Sequence, residues 1–590
     1  RPAAVHPRHP QGDYPLGDLA GVGVAFKVAT ALLGELPIEL LDLVAIGTIA
    51  DLVSLTDENR TFVKMGLQMI QTGDRIGLDV LLQEAGVKKE AVSEESIGFT
   101  IGPRLNALGR LGEAAPGVEL MTTFDEEQAL EIAKYIDQQN NERKDIVTTI
   151  AKEALDLIDP NAPVHILAKQ GWHEGVLGIV AGRIMQETGK PTIILAIDES
   201  GTTAKGSGRS ISALNLYEAL NEVREQFTHF GGHHMAAGMT LPVENIPFVQ
   251  EHLAHFIEKN QIDMANGQEL LISESLAVSQ ATTTFIDQLR ILAPFGTDNT
   301  VPTFVFKEIT PTQIRQIGAD NAHLKFQMNQ EGAQLDAIAF QMGPQADELA
   351  QGTSDVAGQL SINEWNGRKK PQLMVTDFAV SGRQLFDFRG KNNQTKPIPS
   401  EATAYLLFDE KNQKFISDPT ANTIVWSNQE ELVEAVSQNQ IEQLVFVDCP
   451  VEAITVKEIV EATEIQRIYM MFISPEEAYL NGMASREQFA TLYKFILQQK
   501  EVNLRSQLSK VANYLNIQEK LLIFMIQVFF DLGFVTIESG VLNSIEKPDN
   551  RPLTESQVYQ QRLKKIKTEE FLLYSDCQTI QQWLWNEEDK

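Results

Sequence analysis

Apolar residues at helical spacing run through the first part of the chain. LAGVGVAFKVATALL and ELLDLVAIGTIADLV, within residues 16–50, predict two helices. Val63, Leu67, Ile70, Leu78, Leu81 and Leu82 continue the periodicity over residues 61–85. Residues 100–117 carry Gly102, Pro103, Gly109, Gly112, Pro116 and Gly117 and read as a loop. Over residues 125–158, Ala129, Ala133, Ile136, Arg143, Ile146, Ile150, Ala154 and Leu157 fall at three- and four-residue steps. They predict one helix of roughly 50 Å, long enough to span two domains. DPNAP at 159–163 stops it. The pattern then changes. VHILA and PTIILAI read as strands around the loop and helix of GWHEGVLGIVAGRIMQETG, a βαβ unit. From about 270 to 380, LLISESLAV, TFVFKEIT, HLKFQM, QLDAIAF, VAGQLSINEW and PQLMVTDFAV alternate apolar and polar residues, with one helical interruption, TFIDQLRILAPFG. Five or six such strands predict a small β-barrel. SGRQLFDFRGKNNQTKPIPS reads as the linker that closes it. Strands and helices alternate again over 402–475. Residues 486–590 read as mostly helical, with FVTIESGVLNSI a hairpin; three helices and then a hairpin is the winged-helix order.

Length and charge refine this picture. A chain of 590 residues predicts several domains. No apolar run is long enough to cross a bilayer. The opening RPAAVHPRHPQGDYP has no apolar core segment, so it is not a signal peptide; it reads as a loop from within a longer chain. Cys449 and Cys577 are the only cysteines, which excludes a disulfide framework or a cysteine-rich metal knuckle and fits a reducing cytoplasm. The net charge of −31 argues against nucleic-acid binding by the whole surface. A local basic groove stays compatible with it. Basic residues gather at Arg104 and Arg110, at Lys205 and Arg209, at Arg368, Lys369 and Lys370, and at Arg562, Lys564, Lys565 and Lys567.

The candidate chemistry lies in glycine-bounded motifs. GSGRS offers Ser207, Arg209 and Ser210 on what reads as flexible backbone, and GGHHMAAG places His233 and His234 among residues with almost no side chain. Backbone in such motifs can lie close to a charged ligand. GPRLNALGRLG contributes Arg104, Asn106 and Arg110, whose guanidinium forks match phosphate oxygens, or which pack on surface carboxylates. His173 falls between a strand and a helix start, where backbone amides receive anions. A loop histidine bonded to backbone is the alternative. Asp51 ends an apolar segment in GTIAD and reads either as a cap or paired carboxylate, or as a ligand for a hard divalent cation.

GTIAD, GPRLNALGR, WHEGVLGIVAGR, KGSGRS and FGGHHMAAG in this order resemble the DHH phosphoesterase superfamily, and most closely its RecJ family of single-strand-specific exonucleases. GGHHMAAG is similar to the hallmark of the DHHA1 subdomain. The resemblance implies a mixed α/β multidomain chain: the C-terminal part of a DHH α/β lobe over 1–124, a connecting helix over 125–158, a DHHA1 α/β lobe over 159–265 and an OB-fold barrel over 266–385. A small α/β domain over 400–480 and a helical, winged-helix-like domain over 481–590 would follow as a C-terminal extension. It further implies 5′→3′ hydrolysis of single-stranded DNA in repair and recombination, assisted by two divalent metals, Mn²⁺ or Mg²⁺. Asp51 would be one metal ligand and His233 would touch the scissile region. Ser207, Arg209, Ser210, His173, Asn106 and an arginine of the 104–110 segment would hold phosphate, and Trp365, Lys369 and Lys370 would contact the strand. A single-strand-binding protein or a RecQ-type helicase is the implied partner, with no membrane. The Asp-His-His motif that names the superfamily is absent from the sequence, as are the Asp motifs before it, and HPRHP is similar to the segment that follows them. The resemblance therefore implies a chain that begins downstream of most metal ligands and is inactive by itself. Two other readings compete with the nuclease: a DHH phosphodiesterase of short or cyclic oligonucleotides, against which the barrel argues, and a non-catalytic single-strand-binding scaffold.

Overall fold

The computed structural model describes residues 5–10, 12–159, 161–262, 269–365, 367–390, 402–417, 421–499, 501–546 and 548–585. They form two compact units, one within residues 1–274 and 282–304, the other within 275–281 and 305–590. No helix among the described residues is long and apolar enough to cross a membrane.

The first unit opens with helices: α1 (Gly21–Leu33), α2 (Leu41–Ala50), α3 (Asp57–Thr72), α4 (Ile76–Glu84), α5 (Gly102–Leu111), α6 (Ala115–Thr122) and α7 (Glu126–Leu155). The segment expected to be a loop over 100–117 is helical instead. A π-turn, Ile97–Ile101, runs straight into α5. The reason is positional: Pro103 and Pro116 each sit in a first helical turn, where a missing N–H costs nothing. Gly66 lets α3 cross α2 closely. A Cβ there would fall 2.2 Å from the Leu41 carbonyl oxygen and 2.4 Å from the Ala45 Cβ.

Helix α7 has 30 residues, about 45 Å at 1.5 Å per residue. Asp125 caps it by accepting from the Glu127 and Gln128 amides. Its first half buries Ala129, Ala133 and Ile136 in the helical core with Leu78, Leu81 and Leu120. Its second half buries Val147, Ile150, Ala151 and Ala154 against a different core. That second core belongs to a five-stranded sheet of β1 (His165–Gln170), β2 (Thr192–Ile197), β3 (Thr203–Arg209), β4 (His229–His233) and β5 (Ala236–Pro242), in the order β1-β2-β3-β5-β4. Only β1 and β2 are parallel, and α8 (Leu177–Thr188) crosses between them. GSGRS is therefore not a flexible turn but part of a central strand. Gly206 is needed there: a Cβ would lie 2.1 Å from the Ile194 carbonyl oxygen.

In the second unit β6 (Thr303–Ile317), β7 (His323–Gln330), β8 (Ala333–Ala339), β9 (Ser354–Trp365) and β10 (Arg368–Val380) pair in the order β9-β10-β8-β7-β6, and β6 also pairs with β9, so the barrel closes. The β10–β8 pairing is parallel. LLISESLAV forms a strand only at Glu274–Ser275. A parallel sheet follows from β11 (Gln384–Asp387), β12 (Thr403–Leu407), β13 (Asn422–Val425), β14 (Gln443–Asp448) and β15 (Arg467–Ile473), ordered β11-β15-β14-β12-β13. Part of the expected linker is thus an edge strand of this sheet; residues 391–400 lie outside the described ones. Helices Arg486–Gln499, Leu504–Leu515 and Glu519–Asp531 precede a hairpin, Val535–Glu538 with Val541–Ser544, to which Glu501–Asn503 adds a third strand.

The close crossing of α2 and α3 fixes the helix that ends at Asp51. Gly66→Ala is expected to lower stability by about 2–3 kcal/mol, the cost of overpacking against backbone that cannot yield. A thermal melt equal to that of the parent chain would contradict this packing.

Candidate functional site

Helix α7 passes from one core to the other between Ile136 and Val147, and there its inward positions are polar. Asn140 is 1% exposed and its amide nitrogen has no hydrogen-bond partner. Its Oδ1 accepts from Arg143 Nη2 at 3.1 Å, and the Arg143 Nε is buried with no partner. Two other arginines reach this junction. Arg110, at the end of α5, donates through Nη1 to the Gly175 carbonyl at 3.2 Å. Arg209, at the end of β3, donates to Ser207 Oγ at 2.9 Å and to the Gly208 carbonyl at 2.8 Å. Among the described residues no carboxylate pairs with any of the three. Burial, and then the charge of Arg110, hold Arg143 and Arg209 below the ordinary arginine range. Guanidinium groups stay protonated even so. The result is a concentration of positive charge that an anion would relieve.

Glycines let backbone close around these groups. A Cβ on Gly178, in the first turn of α8, would lie 2.9 Å from Arg209 Nη2 and 3.1 Å from Ser207 Oγ. A Cβ on Gly175 would lie 2.0 Å from the Arg110 carbonyl oxygen. No side chain caps α8, so its first-turn amides add to the positive potential. His173 accepts from the Gly175 amide at 3.2 Å and shapes this turn. Arg209, the Ser207 hydroxyl and a helix start therefore lie together, and Arg110 is near enough to both Arg209 and Arg143 for its charge to act on them, an arrangement suited to the oxygens of a phosphate monoester.

The other expected residues divide. Arg104 is not available to an anion: its guanidinium pairs with Asp137 at 3.0 Å and joins α5 to α7. Ser210 is fully buried, and its hydroxyl donates to the Leu214 carbonyl at 2.8 Å. Asn106 is exposed on α5. His234 bonds through Nε2 with the Ser212 carbonyl oxygen at 2.9 Å, while His233 presents an exposed ring at the β4–β5 hairpin. Arg209, Ala236 and His233 lie in one cross-strand row, so His233 is two strand spacings, about 10 Å, from Arg209. Asp51 is exposed at the end of α2 rather than buried, because the helix stops there and the chain turns outward. Its neighbour Ala50 packs where α5 begins, with the Ala50 Cβ 3.3 Å from the position a Cβ would take on Gly102. Arg110 follows eight residues along α5 (110 − 102), or about 12 Å. Among the described residues no three His, Cys, Asp or Glu side chains gather as a metal ion requires. They do not compose the two-metal centre that the resemblance implies. On the barrel, Lys369 lies opposite Glu364 at 3.7 Å and Lys370 is exposed. The Trp365 backbone pairs with Arg368, and its side chain lies outside the described residues.

Arg143 and Gly178 were not singled out by sequence reasoning. The signal was present for Arg143: a guanidinium at a step of an otherwise apolar helical stripe.

Known proteins share this architecture. The family model described as the DHHA1 domain matches residues 161–259, the RecJ OB domain matches 272–377, and the C-terminal domain of single-strand DNA-specific exonuclease matches 384–584. The single-stranded-DNA-specific exonuclease RecJ of Bacillus subtilis is 38% identical over 601 residues, covering 99% of this chain and 75% of that protein. The crystal structure of RecJ from Thermus thermophilus in complex with Mn²⁺ superposes with a TM-score of 0.55 at 21% identity, over 94% of this chain and 74% of that one. The same protein in complex with Mg²⁺ gives 0.54 at 23% identity, over 87% and 77%. These two likenesses show the shared fold. The extent and identity of the Bacillus match show more: this chain belongs to the RecJ family of single-stranded-DNA-specific exonucleases.

Proposed function

We propose that this chain serves 5′→3′ exonucleolytic hydrolysis of single-stranded DNA in repair and recombination, with Arg110, Arg143, Arg209 and Ser207 gripping the 5′-terminal phosphate. The convergence of three guanidiniums with no carboxylate among them carries this reading. A terminal phosphate is a dianion with three free oxygens, whereas an internal phosphodiester has one charge and two. A cradle of three cations therefore selects strand ends. Gly178 and the first turn of α8 complete it. His233, two strand spacings from Arg209, is the proposed contact beyond the terminal phosphate.

The barrel supplies the strand platform in this proposal. Arg368, Lys369 and Lys370 lie at the exposed start of β10 and offer charge to a passing backbone. The relatives of known structure are complexes with Mn²⁺ and Mg²⁺. In this chain Asp51 is the proposed carboxylate for such an ion. In the winged-helix-like region, the helix Glu519–Asp531 buries Leu521, Leu522, Phe524, Met525, Ile526, Val528 and Phe529. A single-strand-binding protein or a RecQ-type helicase is the proposed partner of the C-terminal region, and the cytoplasm the proposed location.

Arg143→Ala is expected to weaken binding of a 5′-phosphorylated oligonucleotide by about 10- to 100-fold, the scale of one charged hydrogen bond, and to change binding of the 5′-hydroxyl strand little. The slope of log affinity against log salt should fall by about 0.7. Equal losses for both strands, measured by fluorescence polarisation, would remove Arg143 from end recognition. The phosphate is bound as its dianion, so its bound pKa is depressed; the preference is full above the free phosphate's second pKa, near 6, and is lost as pH falls below it. Gly178→Ala separates function from stability. Alanine favours the helix by up to about 1 kcal/mol, yet its methyl group displaces Arg209. An unchanged or higher melting point with reduced preference for phosphorylated ends is expected; unchanged preference would contradict the cradle.

A further inference from the structure

A cavity lined by none of the three arginines lies in the first unit. It has a volume of about 310 Å³ and is bounded by the end of α2, the π-turn Ile97–Ile101 and residues 295–301. Its wall is preformed. The Leu55 amide donates to the Thr297 carbonyl at 2.7 Å, Thr297 Oγ1 donates to the Leu52 carbonyl at 2.9 Å, and the Phe295 amide donates to Glu94 Oε1 at 2.8 Å. Arg60 holds the same segment through the Leu292 carbonyl at 2.9 Å. At the mouth stand two large apolar side chains, Leu52, 74% exposed, and Phe99, 84% exposed. Thr48, in the wall, is fully buried, so its hydroxyl is closed off from this space. The surface that the cavity does present is mainly apolar.

We propose that this cavity receives one nucleobase of the bound single strand, with Phe99 stacked on the ring. The inference rests on the exonuclease reading, since Leu52 directly follows Asp51. Three features favour a base. The volume is at the small end of ligand sites and suits one ring system rather than a folded peptide. An exposed aromatic side chain stacks on any base, so the site tolerates sequence. The charges at the rim, Glu94 and Glu95, are negative, so they repel phosphate and keep the backbone outside while the base enters.

The test is binding of 5′-phosphorylated oligonucleotides that carry one abasic residue, moved stepwise from the 5′ end. One position should cost about tenfold in affinity, the scale of one lost base–aromatic stack. In Phe99→Ala that step should vanish, with abasic and intact strands binding alike and the preference for 5′-phosphate kept. A flat scan in a parent protein that still prefers 5′-phosphate overturns the base site alone; a protein side chain filling the cavity would give that result. An abasic step that persists in Phe99→Ala also overturns it. A parent protein that neither binds strands nor distinguishes their ends overturns both readings.

Discussion

Like charges at short range are the constraint on which the site depends. Arg110, Arg143 and Arg209 come from the end of a helix, the middle of another and the end of a strand, the charge of Arg110 acts on both others, and among the described residues no carboxylate pairs with any of them. Placing three guanidiniums together opposes folding unless the scaffold is stable enough to hold them. Burial first, and then the charge of Arg110, lowers the proton affinity of Arg143 and Arg209. In the proposed role, a bound phosphate turns mutual repulsion into shared attraction.

Helix α7 makes the arrangement possible. Its two halves are held by separate cores, with Ala129, Ala133 and Ile136 in one and Val147, Ile150 and Ala154 in the other. The short polar interval between them can carry Asn140 and Arg143 without weakening either core. Asn140 spends its oxygen on Arg143, which fixes the guanidinium and leaves its Nε free. From the sheet side, Ser207 and Arg209 alternate onto the face that meets α8, and Gly178 admits them. Small residues thus matter here for what they allow charged neighbours to approach.

Much of this was legible in the sequence because it depends on periodicity. The stripe that predicts α7, the alternation that predicts the barrel and the βαβ rhythm at 164–197 are direct records of which faces are buried. GSGRS and GGHHMAAG were legible as places of close approach, and both lie on the strands around the site. Other features hide for physical reasons. Prolines in first helical turns look like loop formers and so disguise α5 and α6. Arg143 hides within an apolar stripe, because spacing reports a buried face and not what else that face meets. Arg104 and Arg110 belong to one motif, yet only the fold shows that Asp137 neutralises one of them. Ser210 and Thr48 are both buried hydroxyls, and sequence cannot say that the first has a partner and the second does not.

The most direct measurement is a crystal structure of this chain with a short 5′-phosphorylated oligodeoxynucleotide. The account predicts the terminal phosphate within hydrogen-bond distance of Arg143, Arg209 and Ser207, against the first turn of α8. A phosphate bound elsewhere, with the three guanidiniums left facing one another unliganded, would contradict it.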